Sequence, residues 1–343
     1  MCHWLICVFI VAELTSIYVL YHTLDMYMIE RNLPFEFDID EDQELVSPKD
    51  VFCPDHSLDV VPTSSESNRS PEDPLTVVTA FIDIGSFQKN GYVRPLSQYR
   101  SWFRLWRNVH NPVVLFYNKA WICRTFRAIR GNLTTRYIRV DLSREGAFWS
   151  SKLRVETTKI FSDNNYPKHY PSTTNVDYVV VMHAKYDFVE YALQRNFFRS
   201  SHFAWIDIGL FRDYDLTQCF RLQLPPHFDE TKVAFGKVQD FRSNQTAEQI
   251  IRSMPVWLCG CIFVGSWSVL QRFVVQYRDT VNAILRRKLV GDDQMTLYSM
   301  FADKTLNISI TVPIQWYETN YELINCDRWF CLAYVMRVLE KCI

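Results

Sequence analysis

The chain has 343 residues, 48% of them hydrophobic and 22% charged, with a formal net charge of −1. That length and apolar content suffice to bury a full core in one large domain or two small ones, which excludes a disordered chain. The near-zero charge supplies neither a basic surplus nor a basic stripe for phosphate backbones, so no nucleic-acid partner is expected.

The first segment, Trp4 to Leu24, is an apolar-rich run interrupted by Glu13, and about 20 such residues are what a helix needs to cross a bilayer. No Lys or Arg precedes it and no small-residue cleavage site stands out, so residues 1–29 read as a short cytoplasmic end and an uncleaved signal anchor. A cleaved signal is the alternative and leaves the same lumenal body. Residues 30–74 are rich in acid, Pro and Ser without a sustained period, and cannot bury enough apolar surface to fold alone. They are expected to form a stem, with a lumenal domain over 75–343. The expected location is that of a single-pass type II membrane protein of the Golgi or endoplasmic reticulum, with the cell surface or secretion as the alternative. Four sequons, at Asn68, Asn132, Asn244 and Asn307, fit a secretory route and a glycoprotein. So do eight cysteines beyond the anchor, an even number compatible with disulfides (Cys53, Cys123, Cys219, Cys259, Cys261, Cys326, Cys331 and Cys342).

After Pro74 apolar β-rich runs alternate with helical stretches. Strands are predicted at Leu75 to Ile82, Val113 to Tyr117, Arg136 to Val140, Tyr178 to Met182, Phe203 to Ile208, Lys232 to Phe235, Cys261 to Val264 and Ser309 to Val312. Several are continuous Val/Ile/Phe runs, as in strands buried on both faces. Helices are predicted where Leu96, Tyr99, Phe103 and Trp106 form one stripe and where Val269, Leu270, Phe273, Val274, Tyr277, Val281 and Ile284 form another, the second capped by Ser266. The alternation predicts a mostly parallel sheet covered by helices.

Two of these strands end in the letters IDIG, at Asp83 and Asp207. In open α/β sheets ligands bind beyond the carboxyl ends of the strands, so both acids point toward the expected site. An acid there holds a ribose hydroxyl or a hard divalent cation, and Gly209 leaves room for close approach of a ligand. A plain strand-to-loop turn explains each Asp-x-Gly equally simply. His183 and His202 flank predicted strands and read as satisfied structural histidines. Arg100, Arg104 and Arg107 read as a solvated helix face.

The segments TVVTAFIDIG, NPVVLFYN, AKYDFVEYALQRNFFRSSHFAWIDIG, CGCIFVGSWSVLQRFVVQY and GDDQ, in that order over roughly residues 75 to 330, resemble the HtrL/YibB domain family. That family in turn resembles glycosyltransferases of the GT-A type. The resemblance implies a Rossmann-type α/β fold and transfer of a sugar from a nucleotide-sugar donor to a glycan or protein acceptor. It further implies a divalent metal, manganese or magnesium, held by an Asp-x-Asp at the end of the strand that here reads Asp207-Ile-Gly209, so the second acid is missing. By the same resemblance Asp207 is the donor and metal contact, Asp83 lines the donor pocket, Lys185 balances diphosphate charge and Asp293 is the base facing the acceptor. Asp213 or Asp83 is the alternative source of a second metal ligand, and a metal-independent transfer is the other alternative. Asp292 or Asp293 also serves as an N-cap for the helix that follows. The competing expectation is a non-catalytic lumenal or surface protein that keeps the fold to bind a glycan or a protein.

Overall fold

The computed structural model describes residues 75–89, 91–144, 146–318 and 327–342. The expected anchor and stem, residues 1–74, and the sequon at Asn68 lie outside the described residues.

Among these residues the strands are β1 (Leu75–Phe81), β2 (Phe87–Lys89), β3 (Tyr92–Arg94), β4 (Val113–Tyr117), β5 (Thr135–Arg139) and β6 (His202–Ile206), followed by β7 (Cys219–Leu222), β8 (Val233–Lys237), β9 (Leu258–Ser266), β10 (Ile314–Tyr317) and β11 (Arg337–Glu340). The α-helices are α1 (Leu96–Phe103), α2 (Ala120–Arg130), α3 (Leu153–Phe161), α4 (Val176–Arg195), α5 (Ala247–Ser253), α6 (Trp267–Arg286), α7 (Asp293–Ala302) and α8 (Cys331–Met336). The central sheet has the order β10-β8-β9-β6-β1-β4-β5. Every pairing in it is parallel except the two made by β9, with β6 and β8. The expected mixed α/β architecture with a mostly parallel sheet is therefore what the chain forms.

The continuous apolar runs follow from burial on both faces. Val78, Val114, Phe116, Phe203, Trp205 and Phe263 pack into one core with α4, α6 and α7. Their neighbours Val77, Val113, Leu115, Ala204, Ile206, Ile262 and Val264 pack into the other with Phe103, Trp106, Phe126 and Leu332. Successive residues of one strand thus belong to different cores, which is the period of two expected of a pleated strand.

Two predicted strands are not strands. Tyr178 to Met182 lies in α4, whose first turn is capped by Asn175 Oδ1 accepting from the Tyr178 amide at 2.9 Å. Burial of Val179, Val180, Ala184 and Phe188 against the sheet outweighs the weak helix propensity of consecutive valines. Ser309 to Val312 pairs with no strand. The amides of Thr311 and Val312 donate instead to the Gln276 side-chain oxygen, at 2.7 and 2.9 Å, and the last sheet strand begins only after Pro313. The first predicted helix is also shorter than its stripe, since Arg104–Asn108 continues as 3-10 helix. Ser266 stands at the N-cap of α6 without a side-chain capping bond.

The sequons at Asn132, Asn244 and Asn307 are exposed. Disulfides join Cys219 to Cys342 and Cys259 to Cys261, while Cys331 is buried as a free thiol, so the even count does not mean complete pairing. No helix among the described residues is long and apolar enough to cross a membrane.

Candidate functional site

The chain runs from β1 to β4 and β5 on one side, then returns to place β6 on the other side of β1. The loops leaving β1 and β6 therefore diverge and open a crevice at their carboxyl ends, the topological switch point of an open parallel sheet. A cavity of about 390 Å³ lies there, within the range of small-ligand sites. Asp83, Lys185, Asp207, Gly209 and Asp293 all line it. The structure thus brings together every residue singled out for donor binding and catalysis.

Their settings differ. The backbone of Asp83 is fixed by Asn118, which accepts from its amide and donates to its carbonyl, both at 2.9 Å. The Asp83 carboxylate turns to its own loop and accepts from the Gly85 amide at 3.0 Å. Asp83 is a half-buried wall residue, joined by no hydrogen bond or ion pair to the other predicted acids.

Lys185 is the centre. Helix α4 passes under the cavity and lines it with Tyr178, Val181, Met182 and Lys185, spacings of three and four that keep one face inward. The lysine is a buried residue in mid-helix. Its side chain is 3% exposed, and its ammonium meets the Gly260 carbonyl at 3.0 Å, Asp293 Oδ2 at 3.0 Å and Asp207 Oδ1 at 3.1 Å. Two of its donors bond to the Gly260 carbonyl and Asp293 Oδ2, and Asp207 adds an ion pair, so the buried charge is compensated. Burial alone would lower its pKa, but Asp207 and then Asp293 hold it above the ordinary lysine range.

Asp207 follows β6, with its amide bonded to the Cys261 carbonyl at 2.8 Å. Its Oδ1 also accepts from the Trp205 indole at 2.8 Å, and its side chain is 37% exposed, leaving one edge of the carboxylate open to the cavity. Asp293 is 3% exposed. Burial, the largest influence, pushes its carboxyl up to about 6, with Lys185 drawing it down and Asp292 and Asp207 pushing it further up. A side chain on Gly260 would run into the Asp293 carboxylate, which is why the strand carries glycine between the two bonded cysteines.

The two acids of GDDQ divide the tasks proposed for them. Asp292 is the N-cap of α7: its Oδ1 accepts from the amides of Gln294 and Met295, both at 3.1 Å, and its Oδ2 from Ser172 Oγ at 2.6 Å. Asp293 is left for Lys185 and the cavity.

Gly209 does not leave room for a ligand. The space a Cβ would need is filled by the Trp102 ring. Gly209→Ala is expected to force that indole outward and cost about 1–3 kcal/mol in urea unfolding; a variant as stable as the parent would show that the ring yields freely.

The donor set does not fit the metal implied by Asp-x-Asp. Trp102 occupies the place of any side chain at 209, Asp207 Oδ1 is taken by Lys185 and Trp205, and Asp213 pairs at 3.8 Å with Arg212 from an exposed position. Among the described residues no group of three or more His, Cys, Asp or Glu is arranged to hold an ion.

Other singled-out residues are structural. His183 bonds to the Tyr277 hydroxyl at 2.7 Å and the Gly291 carbonyl at 3.0 Å, and burial pushes its pKa down to about 4. His202 meets Glu230 at 2.7 Å. Arg104 and Arg107 are exposed, and Arg100 lies over the Trp121 ring at 4.6 Å.

Sequence reasoning missed Lys89, Arg94, Trp102, Ser172, Arg212 and Phe330, which also line the cavity. Trp329 lines it too, although the sequence named none of the C-terminal aromatics as a site. Their positions between residues 89 and 330 carry no shared local motif. The one available signal was the Tyr92-Val93-Arg94 strand pairing back across a glycine turn to Phe87-Gln88-Lys89.

Comparison with known proteins adds the lineage. Escherichia coli (strain K12) Protein HtrL is 23% identical over 280 residues, covering 77% of this chain and 96% of its own length. Among solved structures, core-mannan synthase A (CmsA/Ktr4) from Aspergillus fumigatus, in an Mn/GDP form, aligns with a TM-score of 0.36 and 10% identity over 74% of each chain. The family model described as "Bacterial protein of unknown function (HtrL_YibB)" matches residues 73–320, well over half of the chain, and the chain belongs to that family.

Proposed function

We propose that this protein is a glycosyltransferase that takes a nucleotide-sugar donor into the cavity at the carboxyl ends of β1 and β6. The observation that carries the reading is the Lys185 ammonium buried between Asp207 and Asp293, with Asp293 held near neutrality at about 6. A carboxylate of that pKa is matched to taking a proton from an acceptor hydroxyl. Asp207, half open to the cavity, accepts from a donor hydroxyl, and Asp83 lines the donor side. Lys185 has a different task from the one the resemblance implied: buried and held by the Gly260 carbonyl and the two acids, it positions those acids rather than the diphosphate.

The test is a thermal-shift titration of the purified full chain against a panel of nucleotide-sugars, run beside Asp207→Asn. A matching donor at 100 times its Kd stabilises by about 2.7 kcal/mol, and the shift is expected to be lost in the folded variant. If no donor moves the melting point at millimolar concentration, the reading gives way to a non-catalytic glycan- or protein-binding role. Placement in the secretory lumen is part of the proposal, supported by the exposed sequons and the Cys219–Cys342 disulfide. Mass lost from the cell-expressed chain on glycosidase treatment reports it, and no loss would count against it.

A further inference from the structure

The mouth of the cavity carries cations with no part in the chemistry so far. The β2–β3 hairpin supplies Lys89 and Arg94, and the turn after β6 supplies Arg212. Lys89 Nζ donates to the Tyr178 hydroxyl at 3.0 Å and pairs with no carboxylate among the described residues. Burial, and then Arg94, pushes its pKa below the ordinary lysine range. Arg94 and Arg212 lie against one aromatic ring, their guanidinium carbons 5.8 and 5.4 Å from the Trp102 ring centre. Arg212 also lies 4.6 Å from the Phe330 ring and donates to the Gly209 carbonyl at 3.2 Å. Its one ion-pair partner among the described residues is Asp213 at 3.8 Å, itself largely exposed, while Asp327 and Asp207 act on it from farther away. Like charges turned to one cavity repel, and a bound anion relieves that repulsion.

The carboxylates that line the same cavity are otherwise engaged. Asp83 binds its own loop, Asp292 caps α7 and holds Ser172, and Asp207 and Asp293 hold Lys185. None is bonded to Lys89 or Arg94. Both guanidinium groups lie within cation–π distance of the indole, and the N–H groups that Arg212 does not spend on Gly209 are donors of the kind that bind phosphate.

We propose that Lys89, Arg94 and Arg212 form the diphosphate subsite of the cavity, binding a nucleoside diphosphate with side-chain cations in place of a divalent metal. The nucleotide identity of the ligand rests on the transferase reading; the anion site itself does not. In the transfer, the bond between the anomeric carbon and the phosphate oxygen breaks and its electron pair leaves on that oxygen. The acceptor oxygen bonds to the carbon and gives its proton to Asp293. The departing diphosphate thus gains one negative charge, and the three cations act on that charge.

Calorimetric titration of the full chain with inorganic pyrophosphate, UDP and GDP, each in EDTA and in manganese, tests this. Binding in EDTA that weakens with salt is expected, with each of Lys89→Met and Arg94→Gln reducing affinity roughly 10- to 100-fold, the scale of a hydrogen bond to a charged group. Both residues sit on the short hairpin outside the two cores, so these variants remain readable if Arg212→Gln fails to fold. Binding seen only with manganese, or binding in EDTA that both variants leave unchanged, overturns the subsite and leaves the transferase reading standing. Pyrophosphate binding in EDTA without binding of any nucleotide or nucleotide-sugar keeps the subsite and overturns that reading. No binding in either condition overturns both.

Discussion

Lys185→Met is expected to destabilise the fold by about 3–5 kcal/mol, the usual result of removing one partner from a buried ion pair. For a domain of this size that is a fall in melting temperature of roughly 6–20 °C. Methionine keeps the length and apolar stem of lysine, so the loss isolates the ammonium. Without it the Gly260 carbonyl loses a donor and two carboxylates face each other unscreened. The double variant Lys185→Met with Asp293→Asn is expected to recover part of the loss, because it removes the charge left stranded, and the two substitutions should be clearly non-additive. A single variant that melts within about 2 °C of the parent would show that the ammonium does not hold the site together.

The pH dependence of stability has a definite sign. Asp293 titrates at about 6 in the folded chain, above an unfolded carboxyl near 4. Its folded form binds the proton more tightly, so its contribution is greatest below the unfolded value and is lost as pH rises through about 6. Lys185 is also raised above its ordinary value, so its contribution persists through neutrality and is lost only in the alkaline range.

Asp293→Asn is the second large effect. If Asp293 takes the acceptor proton, the variant should lose about 100- to 10,000-fold in kcat, with KM for the donor little changed. The fold should survive, because Asp207 and the Gly260 carbonyl still hold Lys185. The parent rate should rise with pH through about 6 and level off above it, since the ionised form is the base. Asp207→Asn should act mainly on donor KM and move this profile to lower pH, because Asp207 is one of the charges that push the Asp293 carboxyl up. A flat profile, or an Asp293→Asn enzyme within threefold of the parent, would remove the base from the mechanism.

Gly209 shows how the missing second acid becomes intelligible only in three dimensions. In the sequence Asp-Ile-Gly reads as a motif with a residue lost. In the structure the Trp102 ring fills the space of that residue, and two arginines lie against the same ring. The residues at 102 and 209 are a matched pair, so restoring an acid at 209 would displace the platform that holds Arg94 and Arg212.

By itself the sequence determined the alternation of strand and helix, the apolar runs that demand burial on both faces, and the two acids that close β1 and β6. These are set by the chain's own period and by strand ends, over a few residues at a time. It also placed Asp292 and Asp293 at a helix start, where one of them had to cap. Only the tertiary structure decided that Tyr178 to Met182 is helical, because burial between sheet and α6 overrides the propensity of three valines. It alone decided that Gln276 takes the hydrogen bonds a strand at 309–312 would have used. It decided, too, that Lys185 lies buried between two aspartates and that Lys89, Arg94 and Arg212 meet at one cavity. Such contacts join residues far apart in sequence, and which side chains face one another is fixed by packing the layers together, a choice no local pattern records.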